Sequence, residues 1–272
     1  MARRKPTVEE WWRANLTGHG GTMRMERNLL KLLPSDPRCK LCNAPFRGLG
    51  GVLMRLTGRR PWAKNPNFCT ICERSARKYH GGAEIELTLL FADVRGSTGA
   101  AEAMSASEFS TLMNRFYAAA TRVLIQSDAV IDKLVGDEVI GLYLPFIKGR
   151  PARRAITAAL ELLAATGHGE AALPWLPVGI GVHTGVAFVG IVGSTETVTD
   201  FTALGDAVNV TARLAASAAG GEILVSDAAL AAADIATDGV EHRRLELKGR
   251  SEPIHVGVLG APDRTAAPTA AR

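Results

Sequence analysis

The chain reads as an α/β protein of the α+β sandwich kind, with a mixed or antiparallel sheet, preceded by a small cysteine-rich metal-binding module. Three observations predict this. From Ile85 onward, β-rich runs alternate with helical periodicities, and one pair of runs is joined by a hairpin turn. No G-x-G-x-x-G or P-loop pattern stands at a strand-to-helix junction, so a Rossmann or Walker nucleotide site has no support. All four cysteines, Cys39, Cys42, Cys69 and Cys72, fall near the start of the chain as two C-x-x-C pairs.

Length and composition agree. The chain has 272 residues, 47% hydrophobic and 22% charged, which excludes wholesale disorder and allows one substantial domain with a smaller companion. Residues 1–82 are expected to form the basic module, 83–260 the larger domain, and 261–272 a disordered tail. No apolar run reaches the roughly 18 residues of a membrane span, and the first residues lack a secretory apolar stretch, so a cytoplasmic protein is expected. The net charge of +5 hides a division. Residues 1–82 hold 17 Lys+Arg against 5 Asp+Glu, a net of +12, and the remainder nets −7.

Element by element, Thr7 and Glu10 have capping-box spacing and open a first helix, and a second is expected over Met23 to Leu33, where Pro34 and Pro37 stop it. The stretch from Cys39 to Cys72, rich in Gly, Pro, Arg and Asn, reads as a loop-dominated minidomain that a shared metal would hold together. Ile85 to Asp93 reads as a strand. Ser105 with Glu108 caps a helix whose apolar residues, from Phe109 to Leu124, recur at helical spacing. Ala129 to Leu144 reads as a hairpin turning at Gly136 and Asp137, and an alanine-rich helix follows from about Ala152 to Ala165. Pro177 to Gly193 reads as two strands, Asp206 to Ala218 as a helix and Glu222 to Ser226 as a strand.

Asp93 ends a buried strand at a glycine-containing loop, and Asp137 sits at a hairpin tip. Strand ends and hairpin tips on one sheet bring carboxylates to the separation of about 4 Å between ions in a two-metal site; each is equally the sort of aspartate that turns favour. Asn209 and Arg213, four residues apart, share one helix face. His183 reads as a packing residue, and Gly136, Gly185, Gly190 and Gly205 as turn glycines.

The segments FADVRGST, KLVGDEVIG, VGIGVHTG and TALGDAVNVTARL occur in the order and at about the spacing of the class III nucleotide cyclase catalytic domain, which the chain resembles over roughly Glu84 to Val258. The resemblance implies a ferredoxin-like cyclase fold. It also implies that Asp93 and Asp137, helped by the Val94 carbonyl, hold two Mg²⁺ or Mn²⁺ ions. By the same resemblance Asn209 orients the ribose, Arg213 stabilises charge on the α-phosphate, and Lys133 and Thr202 select the base. Many family members carry Asp at the position of Thr202. Threonine there resembles the subgroup that includes soluble, bicarbonate-responsive adenylate cyclases. A donor-only Lys133 suits N1 of adenine and a Thr202 hydroxyl can accept from the 6-amino group, which favours an adenylate cyclase acting on ATP; Lys133 could also donate to O6 of guanine, so a guanylate or other nucleotide cyclase is the alternative, and a catalytically silent metal-binding regulator the alternative of another class. The family's sites are shared between two catalytic domains, and this chain carries both halves, so a head-to-tail homodimer is implied.

The C-x-x-C pairs stand 26 residues apart, an array that suits a tetrahedral Cys₄ zinc site, with an iron–sulfur cluster as the alternative. The basic residues with Trp62 and Phe68 could serve nucleic acid, but a solvated basic surface docking on the acidic domain is the preferred reading. Trp11, Trp12 and the LLKLL stretch could pair between protomers or touch a membrane, but packing on the module is the preferred reading.

Overall fold

Thr7 and Glu10 close a reciprocal capping box and start α1 (Val8–Leu16). Then come α2 (Gly21–Leu30), α3 (Gly48–Leu56), α4 (Thr70–Lys78) and the long strand β1 (Gly81–Val94). Beyond it lie α5 (Ser97–Ala103), α6 (Ala106–Gln126), the hairpin strands β2 (Val130–Val135) and β3 (Glu138–Tyr143), and α7 (Pro151–Ala165). The chain continues through β4 (Val178–Gly193), β5 (Thr199–Leu204), α8 (Asp206–Ser217), β6 (Ile223–Ser226), α9 (Asp227–Ala233), β7 (Glu241–Leu245) and β8 (Ile254–Leu259). This computed structural model describes residues 6–147, 149–169, 173–193, 199–247 and 252–260. The tail expected at 261–272 lies outside the described residues.

The strands hydrogen-bond in the order β2-β3-β1-β4-β6-β8-β7, with β5 paired to β4. The β4–β6 pair is parallel, and the β1–β3, β2–β3, β4–β5, β6–β8 and β7–β8 pairs are antiparallel. A mixed sheet is therefore present, as strands interleaved with helices and one hairpin imply. Two compact units divide the chain. One comprises Met1–Leu87, Leu144–Gly149 and Val186–Gly205; the other comprises Thr88–Tyr143, Arg150–Gly185 and Asp206–Arg272.

In the second unit, strand alternation builds two cores. Val178, Ile180 and Val182 of β4, with Ile223 and Val225 of β6, pack with Phe116, Leu124, Ile156 and Leu162 from α6 and α7. Leu224, one residue out of phase, joins Val210 and Leu214 of α8 in a separate cluster with Val256. Because neighbouring strand residues point to opposite faces, α6 and α7 cover one side of the sheet and α8 the other. Gly179 and Gly181 make the second contact close: a Cβ at Gly181 would lie 2.5 Å from the Ala215 nitrogen and 2.6 Å from the Thr211 carbonyl. A helix seated this tightly holds its side chains to a fixed height over the sheet.

In the first unit, Trp12 is buried on α1; its Nε1 donates to the Tyr79 carbonyl at 2.6 Å, and its ring stacks on Phe201 of β5 with centroids 6.1 Å apart. The stretch from Cys39 to Cys72 is mostly turns and irregular backbone, as its composition suggests, with one helix the composition does not indicate. That helix is α3, and α4 begins at Thr70. Glycines depress helix propensity, yet Gly50 and Gly51 are where the helix meets its neighbours. A Cβ would come within 2.3 Å of the Pro34 carbonyl oxygen at Gly50 and 2.5 Å of the Phe46 backbone at Gly51. The two strands expected over Pro177 to Gly193 are one continuous β4, and the second helix ends at Leu30 rather than Leu33.

Candidate active site and a four-cysteine centre

Asp93 stands opposite Glu138 in the β1–β3 ladder, next to the two-residue loop that turns β2 into β3. Gly136 takes φ +60°, the left-handed value that tight hairpin loops demand at their first position. Asp137 follows it. The Val94 amide donates to the Asp137 carbonyl at 3.1 Å, so the strand end and the hairpin tip are fastened to each other. Ser97 Oγ donates to the Asp137 carboxylate, and the Tyr117 hydroxyl donates to the Gly136 carbonyl.

Arg95 completes this group. Its Nη2 donates to the Asp93 carboxylate, its Nε to the Asp93 carbonyl at 3.4 Å, and its Nη1 to the Ala216 carbonyl at 2.9 Å, in the last turn of α8. A guanidinium at a helix C-terminus is favoured by the helix dipole. Burial holds the Arg95 pKa below its usual value against the pull of Asp137 and Glu138. Burial and then the charge of Asp137 push the Glu138 carboxyl up, with Arg95 opposing. Asp93 pairs with Arg95 while Asp137 and Glu138 add their charge nearby, hard oxygen donors of the kind that small divalent cations take.

Asn209 is exposed and Arg213 half-buried on α8, while Ala207, Val210, Thr211 and Leu214 face inward. Lys133 lies where the β2–β3 register shifts between Ile131 and Leu134. Such bulges re-aim side chains and recur beside active sites. These residues and the two aspartates belong to the second unit. Thr202 belongs to the first, 2% exposed on β5 and opposite Gly190 of β4. His183 shares a hydrogen bond of 2.8 Å with Ser226 Oγ, the cap of α9, a structural position. Motif reading passed over Arg95, Ser97 and Tyr117. The first two lie inside FADVRGST itself; Tyr117, on a distant helix, has no local signal.

In the first unit, Cys39, Cys42, Cys69 and Cys72 are buried with their sulfur atoms all within 4.8 Å of one another. Cys39 and Cys72 are 3.8 Å apart, Cys42 and Cys69 3.7 Å. A tetrahedron with metal–sulfur bonds of about 2.3 Å has edges of about 3.8 Å, so the four thiols are spaced for a single ion. Local structure explains the spacing. Asn43 takes φ +65° after the first pair, letting the Cys39 amide reach the Ala44 carbonyl, and Cys69 caps α4 so that Cys72 lies in its first turn. The Cys69 amide donates to Cys39 sulfur at 3.3 Å and the Cys72 amide to Cys69 sulfur at 3.4 Å, contacts that favour thiolates. Hydrogen bonds from neighbouring cysteines pull Cys42 and Cys69 down, while burial pushes Cys39 up.

The same unit ties this centre to the β4–β5 hairpin. Lys64 pairs with Asp200 at 2.7 Å, Arg77 donates to Thr199 Oγ1 at 2.7 Å, and His80 lies 3.0 Å from the Gly193 carbonyl.

Residues 83–259 match the model of the adenylate and guanylate cyclase catalytic domain, and the chain belongs to that family. Adenylate cyclase 1 of Rhizobium meliloti is 33% identical over 201 residues, covering 68% of this chain and 30% of that protein. An adenylate cyclase of Anabaena cylindrica is 34% identical over 137 residues, covering 47% of this chain and 26% of that protein. The matched region thus spans less than a third of these relatives. Among solved structures, the guanylyl cyclase Cya2 aligns with a TM-score of 0.60 at 28% identity, covering 68% of this chain and 97% of that one. The adenylyl cyclase CyaB from P. aeruginosa aligns at 0.56 with 26% identity, covering 68% and 98%.

Proposed function

We propose that this chain is an adenylate cyclase that converts ATP to 3′,5′-cyclic AMP and pyrophosphate as a cytoplasmic signalling enzyme. The observation that carries the reading is the fastening of the strand end that bears Asp93 to the Asp137 hairpin at one end of the sheet.

In this mechanism Asp93 and Asp137, with the Val94 carbonyl, would hold two Mg²⁺ or Mn²⁺ ions, which would supply Lewis acidity toward the ribose 3′-hydroxyl and charge neutralisation for the triphosphate. Asn209 orients the ribose so that the hydroxyl stands in line with the α-phosphorus and the departing pyrophosphate. Arg213 donates to the α-phosphate oxygens as negative charge gathers there, the kind of electrostatic contact whose loss lowers kcat by about 100-fold. Lys133 donates to N1 of adenine, and the Thr202 hydroxyl accepts from the 6-amino group. The aspartates come from one chain and Lys133, Thr202, Asn209 and Arg213 from a second, in a head-to-tail homodimer with two equivalent sites.

For the four cysteines we propose structural zinc, supported by sulfur spacings that suit one tetrahedral ion rather than a multi-iron cluster. The centre braces the β4–β5 hairpin that bears Thr202.

Product analysis tests the activity: purified protein incubated with ATP or GTP and Mn²⁺ or Mg²⁺ is expected to release cyclic AMP. Cyclic GMP alone would overturn the assignment of the base contacts, and no cyclic product from either nucleotide would overturn the enzymatic reading. Metal analysis should return one zinc per chain and no visible absorption, whereas a broad iron–sulfur band would contradict the zinc assignment.

A further inference from the structure

α3 buries its small side and leaves its large side in water. Gly50, Gly51 and Met54 face the module, while Leu49, Val52, Leu53 and Leu56, at i, i+3, i+4 and i+7, form an exposed stripe. Leu49 and Leu56 are 84% and 81% exposed. α2 and the turn after it behave alike: Leu30 is buried, but Met25, Leu29 and Leu32 are exposed, Leu32 by 80%. The expectation that LLKLL packs on the module thus fails for these two leucines. Two contacts link the segments: Arg59 after α3 pairs with Glu26 of α2, and Gly50 of α3 lies against the Pro34 carbonyl beyond α2. Exposed apolar groups concentrated in this way mark an interaction surface.

The charge around the stripe says what it meets. Between Pro37 and Cys72 there are seven Lys and Arg and no Asp or Glu. Arg47 caps the start of α3, Arg55 lies in its last turn and Arg59 and Arg60 follow it; Arg47, Arg55 and Arg60 are exposed. Leucines rimmed by arginines on a short helix are the pattern of an interfacial helix, lying in the plane of a bilayer with its apolar side among the acyl chains and its cations at the headgroups. Among the described residues no helix is long and apolar enough to cross a membrane.

We propose that the α2–α3 face of the basic module docks on an anionic lipid bilayer. A second copy of the chain fits less well, since residues 1–82 carry +12 and two such modules would oppose their cationic rims. Anionic headgroups neutralise that rim while the acyl layer receives the leucines. The two attractions act together, as reversible membrane anchoring requires.

Co-sedimentation of the full chain with lipid vesicles tests this. The protein is expected to pellet with vesicles of phosphatidylcholine and phosphatidylserine mixed at about two to one, and to stay in the supernatant with phosphatidylcholine alone. Replacing Leu49→Glu and Leu56→Glu together should weaken binding by about tenfold or more, and 0.5 M salt or the Arg55→Gln, Arg60→Gln pair should weaken it too. Both leucines are largely solvated, and retained metal content verifies that the variant folds. Failure of the wild-type protein to pellet with anionic vesicles at low salt would overturn the proposal. So would binding that the leucine changes leave untouched, or a lipid-free assembly that they disperse, which would make a second copy the occupant.

Discussion

Arg95 touches three atoms that motif spacing does not connect: the Asp93 carboxylate, the Asp93 carbonyl and, more than a hundred residues away, the carbonyl of Ala216. We regard it as a positioning residue. Arg95→Ala is expected to lower kcat by about tenfold while moving KM little, and Arg95→Lys, which keeps the charge but not the fork, to recover only part of the loss. Arg213→Ala, by contrast, should cost about 100-fold in kcat if, as proposed, it removes a donor to the reacting phosphate. Both are read from steady-state kinetics. A third residue governs acid stability. Glu222 is buried and accepts two bonds from Arg243, at 3.1 and 2.8 Å. Burial raises its pKa, but the Arg243 bonds and the Ala219 amide outweigh that and hold it below the usual value. A depressed folded-state pKa stabilises the fold above the unfolded value of about 4.3, and that contribution disappears as pH falls through the lower folded value. Glu222→Gln should therefore cost about 1–3 kcal/mol in urea unfolding at pH 7, with the difference from wild type shrinking as the solution is acidified below pH 4.

Gly181 shows how an element can be fastened by the absence of a side chain. The backbone atoms of Thr211 and Ala215 occupy the place of its Cβ, so Gly181→Val must lift α8 from β4. The expected outcome is a loss of about 1–3 kcal/mol in stability, with a larger fall in activity than stability alone explains, because Asn209 and Arg213 ride on that helix. The β4–β5 hairpin is fastened from the other direction, by Lys64, Arg77 and Trp12. If the cysteine centre braces it, stripping the metal with a chelator should raise KM for nucleotide more than it lowers kcat, and restoring zinc should reverse the change. α3 is the instructive failure of sequence reading at this scale. Its glycines and surrounding prolines and arginines read as loop, since helix propensity counts the entropy that glycine loses but not the close contacts at Gly50 and Gly51. β5 likewise carries no strand signal of its own, and its pairing with β4 defines it.

For the whole molecule, the test with greatest reach is complementation. Chains carrying Asp137→Ala and Arg213→Ala are each expected to be inactive alone and to regain a substantial fraction of activity when mixed, since one intact site per heterodimer would reassemble. No recovery would refute the shared-site dimer. The charge division of the chain also takes on meaning at this scale. The carboxylates proposed to hold metal lie in the acidic portion, whereas the net +12 belongs to the portion with the cysteine centre and the exposed leucines.

The placement of the candidate residues was legible in short spacings, while the roles proposed for them come from the resemblance of the four motifs to the cyclase family. Asp93 at a strand end, Asp137 after a turn glycine, Asn209 and Arg213 one helical turn apart and two C-x-x-C pairs are each patterns of a few residues, governed by local backbone geometry. The alternation of strands and helices likewise settled the class of fold. What the tertiary structure decided involves groups far apart in the chain: the four thiols drawn to a single ion's spacing, Arg95 linking Asp93 to α8, and the leucines of α2 and α3 left in water. Whether an apolar side chain is buried depends on what packs over it, and that partner is chosen by the closing of long loops rather than by its neighbours in sequence.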